Sequence, residues 1–380
     1  MPGLAVPLPL PGGVAEYQVP AQRDWPDHAA PARSRIVFAA AHVVGEATAG
    51  PAGPARLDWD ATLRFRHRLW SLGLGVADAL DTAQRGMGLD WPAARELIRR
   101  SGAEAQAVGG RLCCGAGTDQ LPVGRAGLGG IVAAYEEQLE AVEQAGAQPV
   151  LMCSRALAAS ARGPDDYAKV YGTLLRQVTQ PVILHWLGDM FDPALHGYWG
   201  SPDLGVATEQ VLAIVAEHAD QVDGIKVSLL DAEREVALRR RLPPGVRLYT
   251  GDDFNFAPLI GGDGEGFSDA LLGVFDPLAA PAAVALGRLD AGDVAGFRAV
   301  LDPLVPLARH IFAAPTQYYK TGVVFLAWLS GYQDHFVMLG GQQTGRDQAH
   351  LAELFRLAAD AGLFPDAGLA AARMRRFLDG

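Results

Sequence analysis

Apolar residues in this chain fall in short runs separated by longer amphipathic stretches, and the alternation holds from about residue 35 onward. The runs at 35–41, 76–80, 112–114, 149–153, 181–187, 224–229 and 246–249 are brief and nearly continuous, as in strands buried on both faces. An eighth run, 266–275, reads as a strand but can equally open a helix. Between the runs, helical spacing recurs. Ile131, Tyr135, Leu139 and Val142 line one face of 131–145, and 60–72, 165–178, 208–218 and a short piece from Asp231 read as helices too. Pro92 sits where a first helical turn tolerates proline. Everything after Asp276 reads as helix, with breaks near Asp290-Ala291-Gly292 and Ala314-Pro315. Residues 1–33 are rich in Pro, Gly and Ala without a steady period, and read as an arm that packs along a body or a neighbour.

Eight strand–helix units predict an α/β chain folded as a (β/α)8 barrel over 34–276, with the N-terminal arm before it and a helical region over 277–380 after it. A doubly wound open sheet is the competing architecture, but no Gly-x-Gly-x-x-Gly turn follows the first strand. With 380 residues and 49% hydrophobic content, the chain is long enough for one large barrel and its core. A net charge of −11 argues against nucleic acid, whose phosphates need a basic face. The arginines at 239–241 and 373–376 read as solvated helix ends. No apolar stretch approaches the roughly 20 residues of a membrane span. The N-terminus lacks the basic and apolar regions of a secretory leader, and the three cysteines form neither a disulfide framework nor a zinc pattern. The expectation is a cytoplasmic protein.

The lysine count sharpens the chemistry. Of 32 basic residues only Lys169, Lys226 and Lys320 are lysine, so a position that keeps an amine stands out. An amine can lose its proton and attack a carbonyl; a guanidinium cannot. Lys226 lies inside an apolar run, Lys169 on an amphipathic helix, and Lys320 on a C-terminal helix. In a barrel the chemistry gathers at the C-terminal ends of the strands. That rule nominates His42, Asp81, Thr82, Thr118, Asp119, Gln120, Ser154, Arg155, His185, Lys226, Asp252, Asp253, Ser268 and Asp269. His185 interrupts 181–184 with a group that titrates near neutrality and is paired by the topology with Lys226 on the next strand. Amine and acid/base together suit imine chemistry. Structural alternatives stand beside these readings: a hydrogen-bonded core position for His42, helix capping for Asp252 and Asp253, and strand packing for Cys113 and Cys114.

Three segments then carry a resemblance. Gly224-Ile225-Lys226, Tyr249-Thr250-Gly251-Asp252-Asp253, and Gly261-Gly262-Asp263-Gly264 with Ser268 resemble the dihydrodipicolinate synthase and N-acetylneuraminate lyase superfamily. Pro181 to His185 resembles its fifth strand, and the likeness runs over roughly residues 35–330. The resemblance implies a barrel in which Lys226 forms a Schiff base with pyruvate or a related 2-oxo acid, without a cofactor, in a homodimer or homotetramer. The chain also departs from the family pattern. Asp81-Thr82-Ala83-Gln84-Arg85 stands where the family has the Gly-Thr-Thr-Gly-Glu turn that holds the substrate carboxylate. His185 matches the strand-five tyrosine, and Ser154-Arg155-Ala156-Leu157 matches the tyrosine pair after strand four.

The expectation is therefore a divergent lyase of aldolase or hydro-lyase type, with Lys226 as nucleophile and His185 as acid/base. His42, Asp81, Thr82, Gln84, Arg85, Asp119, Asp252, Asp253 and Ser268 are the expected substrate contacts. Polar groups at the mouth, Gln120 among them, suit a polyhydroxylated keto-sugar or sugar acid as well as a simple 2-oxo acid. Two alternatives compete. One is a metal-dependent isomerase or aldolase holding a divalent cation on His42, Asp81, His185 and Asp252, a donor mix that suits zinc or manganese. The other is a ligand-binding barrel without catalysis.

Overall fold

The computed structural model describes residues 4–10, 13–48, 50, 52–122 and 124–380. Two antiparallel strands, β1 (Ala5–Leu10) and β2 (Gly13–Gln18), precede the barrel. The barrel itself comprises β3 (Val37–Ala40), β4 (Gly75–Asp78), β5 (Leu112–Ala116), β6 (Gln148–Leu151), β7 (Val182–Leu187), β8 (Val222–Ser228), β9 (Arg247–Thr250) and β10 (Asp269–Leu272). These strands pair in parallel in chain order, and β10 closes on β3. The chain is thus a (β/α)8 barrel followed by a C-terminal helical region.

Alternation along the strands decides which side chains enter the barrel. Phe38, Ala40, Ala77, Cys113, Val150, Ile183, Tyr249 and Leu271 form one interior cluster, while the alternate residues pack beneath the surrounding helices. Side chains on a strand repeat with period two, so His185 shares the inward face of β7 with Ile183. The parallel register sets Ile183 beside Gly224 and His185 beside Lys226. Lys226 in turn lies beside Tyr249. The two chemistry-bearing side chains therefore enter the barrel as neighbours at one level.

One ion pair anchors this architecture. Arg66, on the helix Trp59–Ser71, meets Asp78 at the end of β4 through two hydrogen bonds, Nη2 to Oδ1 at 2.8 Å and Nε to Oδ2 at 3.0 Å. Both side chains are fully buried, and the Ser101 hydroxyl donates to Asp78 Oδ2 at 2.6 Å.

The C-terminal helices cap the mouth of the barrel. Gln84 clamps Leu339 from both sides, donating from Nε2 to its carbonyl at 3.0 Å and accepting from its N–H at 3.3 Å. Tyr319, at the start of the helix Tyr319–Leu329, reaches Thr82. The arm has more structure than its composition foretells. Val6 and Leu8 are fully buried, and Tyr17, Gln22 and Trp25 hydrogen-bond to Asp360, Ala359 and Gly362 at the end of the helix Gln348–Asp360. The Val6/Leu8 alternation, with Pro7 and Pro9 facing away, is what makes a strand of it. Arm residues 1–3, 11 and 12 lie outside the described residues.

The eighth strand is shorter than the 266–275 run. Gly266 bridges to Asp263 and the Ser268 N–H donates to the Leu259 carbonyl, so 266–268 is tied to the preceding helix and pairing starts only at Asp269. Among the described residues no helix is long and apolar enough to cross a membrane.

Candidate active site

Lys226 is 7% exposed, and among the described residues its Nζ makes no hydrogen bond to a protein group. Burial lowers its pKa below the usual lysine value, opposed by the charges of Asp81 and Asp253. His185 is buried beside it. Burial, with the neighbouring Lys226, holds the imidazole well below its ordinary value, so the ring is neutral at pH 7. Its Nε2 lies 3.3 Å from Ser228 Oγ, and its Nδ1 faces Asp81 Oδ2 at 4.0 Å. Asp253 completes the ring of groups around the amine. Its carboxyl is buried, accepts from the Val274 N–H at 2.8 Å, and is pushed up to about 7 by desolvation, with Lys226 acting against that rise.

Gly251 is required by this packing. A Cβ there would stand 2.2 Å from Ser228 Oγ, 2.8 Å from the Val227 carbonyl and 3.0 Å from Lys226 Cε. Gly251→Ala is therefore expected to displace the lysine and reduce activity by about 10²-fold, measured as turnover per folded molecule. Unchanged turnover would mean that the position of the amine does not matter.

The other nominated residues divide by what already holds them. Thr82 Oγ1 lies 2.8 Å from the Tyr319 hydroxyl, which is buried and within electrostatic reach of Asp81 and Asp253. Arg85 turns inward, as a carboxylate ligand would, but Asp119 takes it. Arg85 Nε donates to Asp119 Oδ2 at 3.0 Å, Nη2 meets Oδ1, and Nη1 binds the carbonyls of Ala79 and Gly115. Burial opposes the charge on Asp119, yet Arg85 keeps its carboxyl below the usual range. Gln84 belongs to the Leu339 clamp, and Gln120 donates to the Ala134 carbonyl.

Three expected contacts are placed elsewhere by the structure. His42 has both ring nitrogens engaged, Nδ1 to Asp276 Oδ2 at 2.7 Å and Nε2 to Gln333 Oε1 at 3.1 Å, because it joins the end of β3 to the C-terminal region. Asp252 accepts from the N–H groups of Phe254 and Asn255 and from Asn255 Nδ2, which caps the turn before the helix Phe256–Gly261. Ser268 precedes β10 and points outward, donating to Glu235 Oε1 at 2.8 Å. With His42 and Asp252 so engaged, the donors of the metal alternative do not converge. Among the described residues no group of three His, Cys, Asp or Glu forms a metal site.

The chain pattern did not nominate Tyr319 or Ser228. Tyr319 reaches the mouth from 237 residues beyond Thr82, a separation no local motif bridges. Ser228 carried a usable signal, since it lies two residues after Lys226 on the same face of β8. Lys320 is buried near the mouth. Desolvation lowers its amine to about 8, but its Nζ is occupied by the Gln317 carbonyl at 3.2 Å and Met87 Sδ at 3.3 Å.

Beside His185 and Asp81 opens a cavity of about 370 Å³, lined also by Arg85, Trp91, Leu121, Arg155, Leu187 and Leu195. The chain thus forms a closed parallel barrel with a buried lysine on its sixth strand and a cavity beside His185 and Asp81, and comparison with solved structures shows the same fold. Dihydrodipicolinate synthase from Aquifex aeolicus superposes with a TM-score of 0.66 at 12% identity, covering 87% of this chain and 99% of that one. YagE, a prophage protein of the dihydrodipicolinic acid synthase family from E. coli K12 solved with pyruvate, gives 0.67 at 15% identity, over 87% and 99%. The chloride-inhibited dihydrodipicolinate synthase from Acinetobacter baumannii, complexed with pyruvate, gives 0.63 at 15%, over 87% and 100%. The chain belongs to the family described as "Protein of unknown function (DUF993)", whose model matches residues 6–380. No curated protein sequence matches it.

Proposed function

We propose that the chain is a Schiff-base-forming lyase of aldolase or hydro-lyase type, acting on a 2-oxo acid or hydroxylated ketone through an imine on Lys226. The observation that carries the reading is the Lys226 amine itself, buried at the barrel mouth, lowered in pKa and free of hydrogen bonds to protein groups among the described residues. A neutral amine is a nucleophile; a protonated one is not. Its Nζ bonds to the carbonyl carbon, and the carbonyl oxygen leaves as water with one proton from the amine and one from an acid. Asp253, raised to about 7, is suited to be that acid. The iminium then withdraws electrons from the adjacent carbon, so a bond to that carbon's substituent can break. His185, neutral at pH 7, receives or returns the proton there. Similarity to proteins solved with pyruvate supports a small carbonyl ligand. The reading also carries a homodimer or homotetramer in the cytoplasm, and a monomer by light scattering would contradict that assembly.

The pH profile tests the division of labour. Imine formation needs Lys226 neutral and Asp253 protonated, so its pH profile is expected to be bell-shaped, with Asp253 contributing an inflection near 7. Asp253→Asn removes the acid, so the inflection near 7 should vanish and the rate should drop by about 10²–10⁴-fold. An unchanged profile in that variant would remove Asp253 from the mechanism.

A further inference from the structure

We infer that the cavity at the mouth is a subsite for one apolar, ring-sized arm of the substrate, and that the substrate offers a single hydroxyl to Asp81 and His185. This deepens the imine reading and rests on it. The apolar wall is made by Leu89, Trp91, Leu121, Met152, Leu187 and Leu195. Its volume of about 370 Å³ equals that of roughly twelve waters, and pyruvate, smaller by volume than about six waters, would leave more than half of it empty.

The polar residues around the cavity are largely matched to each other. Arg85 is bound to Asp119, Thr118 Oγ1 lies 2.6 Å from Ser154 Oγ, and the Trp91 indole donates to Glu137 at 2.7 Å. Asp90 caps its helix through the Ala93 N–H, and Asp192 accepts from Arg155 Nε at 2.5 Å, at the exposed rim. Among the described side chains lining the cavity, the buried polar atoms without a partner are Asp81 Oδ2 and His185 Nδ1. They stand 4.0 Å apart, too far for a direct hydrogen bond, and an oxygen set to one side of the line between them can lie about 2.8 Å from both. Beside the Asp81 carboxyl the neutral ring is suited to carry its proton on Nδ1, with Nε2 facing the Ser228 hydroxyl at 3.3 Å. A substrate hydroxyl in the gap then accepts from His185 and donates to Asp81.

A polyhydroxylated chain fits this cavity poorly. Its first hydroxyl would find the gap, but the rest would lose water against leucine, methionine and tryptophan, each at a cost of about tenfold in affinity. An aryl or short alkyl arm loses nothing there and gains from leaving water. The polar mouth expected for a sugar acid thus becomes a site for a hydroxylated carbonyl with an apolar tail.

The test traps imines with borohydride across matched 2-oxo acids: pyruvate, 4-hydroxy-4-phenyl-2-oxobutanoate and a 2-oxo-3-deoxy sugar acid. Intact mass gives the concentration of each that half-labels the protein. The phenyl acid is expected to half-label at a concentration at least about tenfold below the sugar acid. Ala156→Trp, which fills the cavity from a lining position, should erase that preference while pyruvate still labels Lys226. A smaller or reversed preference in the unmodified protein, with pyruvate labelling intact, overturns the subsite. Absence of any adduct, pyruvate's included, instead overturns the imine reading on which it rests.

Discussion

Replacing Lys226 by alanine is expected to lower turnover by about 10⁴-fold or more while leaving the protein folded. The size follows from the role: without the amine no imine forms, and neither Asp253 nor His185 can stand in as the electron sink. The fold should survive because the amine is buried and makes no protein hydrogen bond among the described residues, so removing it also removes a desolvation cost. Thermal unfolding should occur at an unchanged or higher temperature. Lys320→Ala supplies the contrast. That amine is held by Gln317 and Met87, and its loss should change turnover by less than about tenfold. Equal losses in the two variants would mean that lysine at position 226 acts through structure.

Asp78→Ala should give the largest loss of stability, about 3–5 kcal/mol in denaturant unfolding. Arg66 would be left charged, fully buried and without its counter-ion, and Ser101 would lose its acceptor. The damage would reach the site as well. Arg66 Nη1 also holds the carbonyls of His42 and Thr62, and Ala79, just after Asp78, adopts φ 52° on the way to Asp81. Replacing both partners by apolar residues of similar volume should recover most of the loss, because the penalty belongs to the unpaired charge. A loss below about 1 kcal/mol for Asp78→Ala would show that water or a rearranged carboxylate reaches Arg66.

The barrel was legible because its strands are buried on both faces and its helices are amphipathic, two periods that the chain keeps distinct. Seven of the strands fall within or beside the apolar runs that mark them. The eighth was overextended, since Gly266 to Ser268 are apolar enough to read as strand yet are tied by the Asp263 bridge and the Leu259 carbonyl. The hairpin in the arm was missed because prolines at 7 and 9 mask the Val6/Leu8 alternation. At the site, Lys226 and His185 were legible as titratable groups inside apolar strands, where the register sets them side by side. Partnership was not legible. Nothing near His42 announces Asp276 and Gln333, nothing near Arg85 announces that Asp119 will neutralise it, and Tyr319 arrives from the C-terminal helices. Which polar groups remain free for a ligand depends on contacts between distant segments, and only the folded chain specifies those.

The most direct measurement is borohydride reduction of the protein with pyruvate, followed by intact mass and peptide mapping. The account requires one stable adduct, on Lys226, with Lys169 and Lys320 unmodified. An adduct confined to Lys320, or no adduct from a folded protein with any carbonyl, would contradict it.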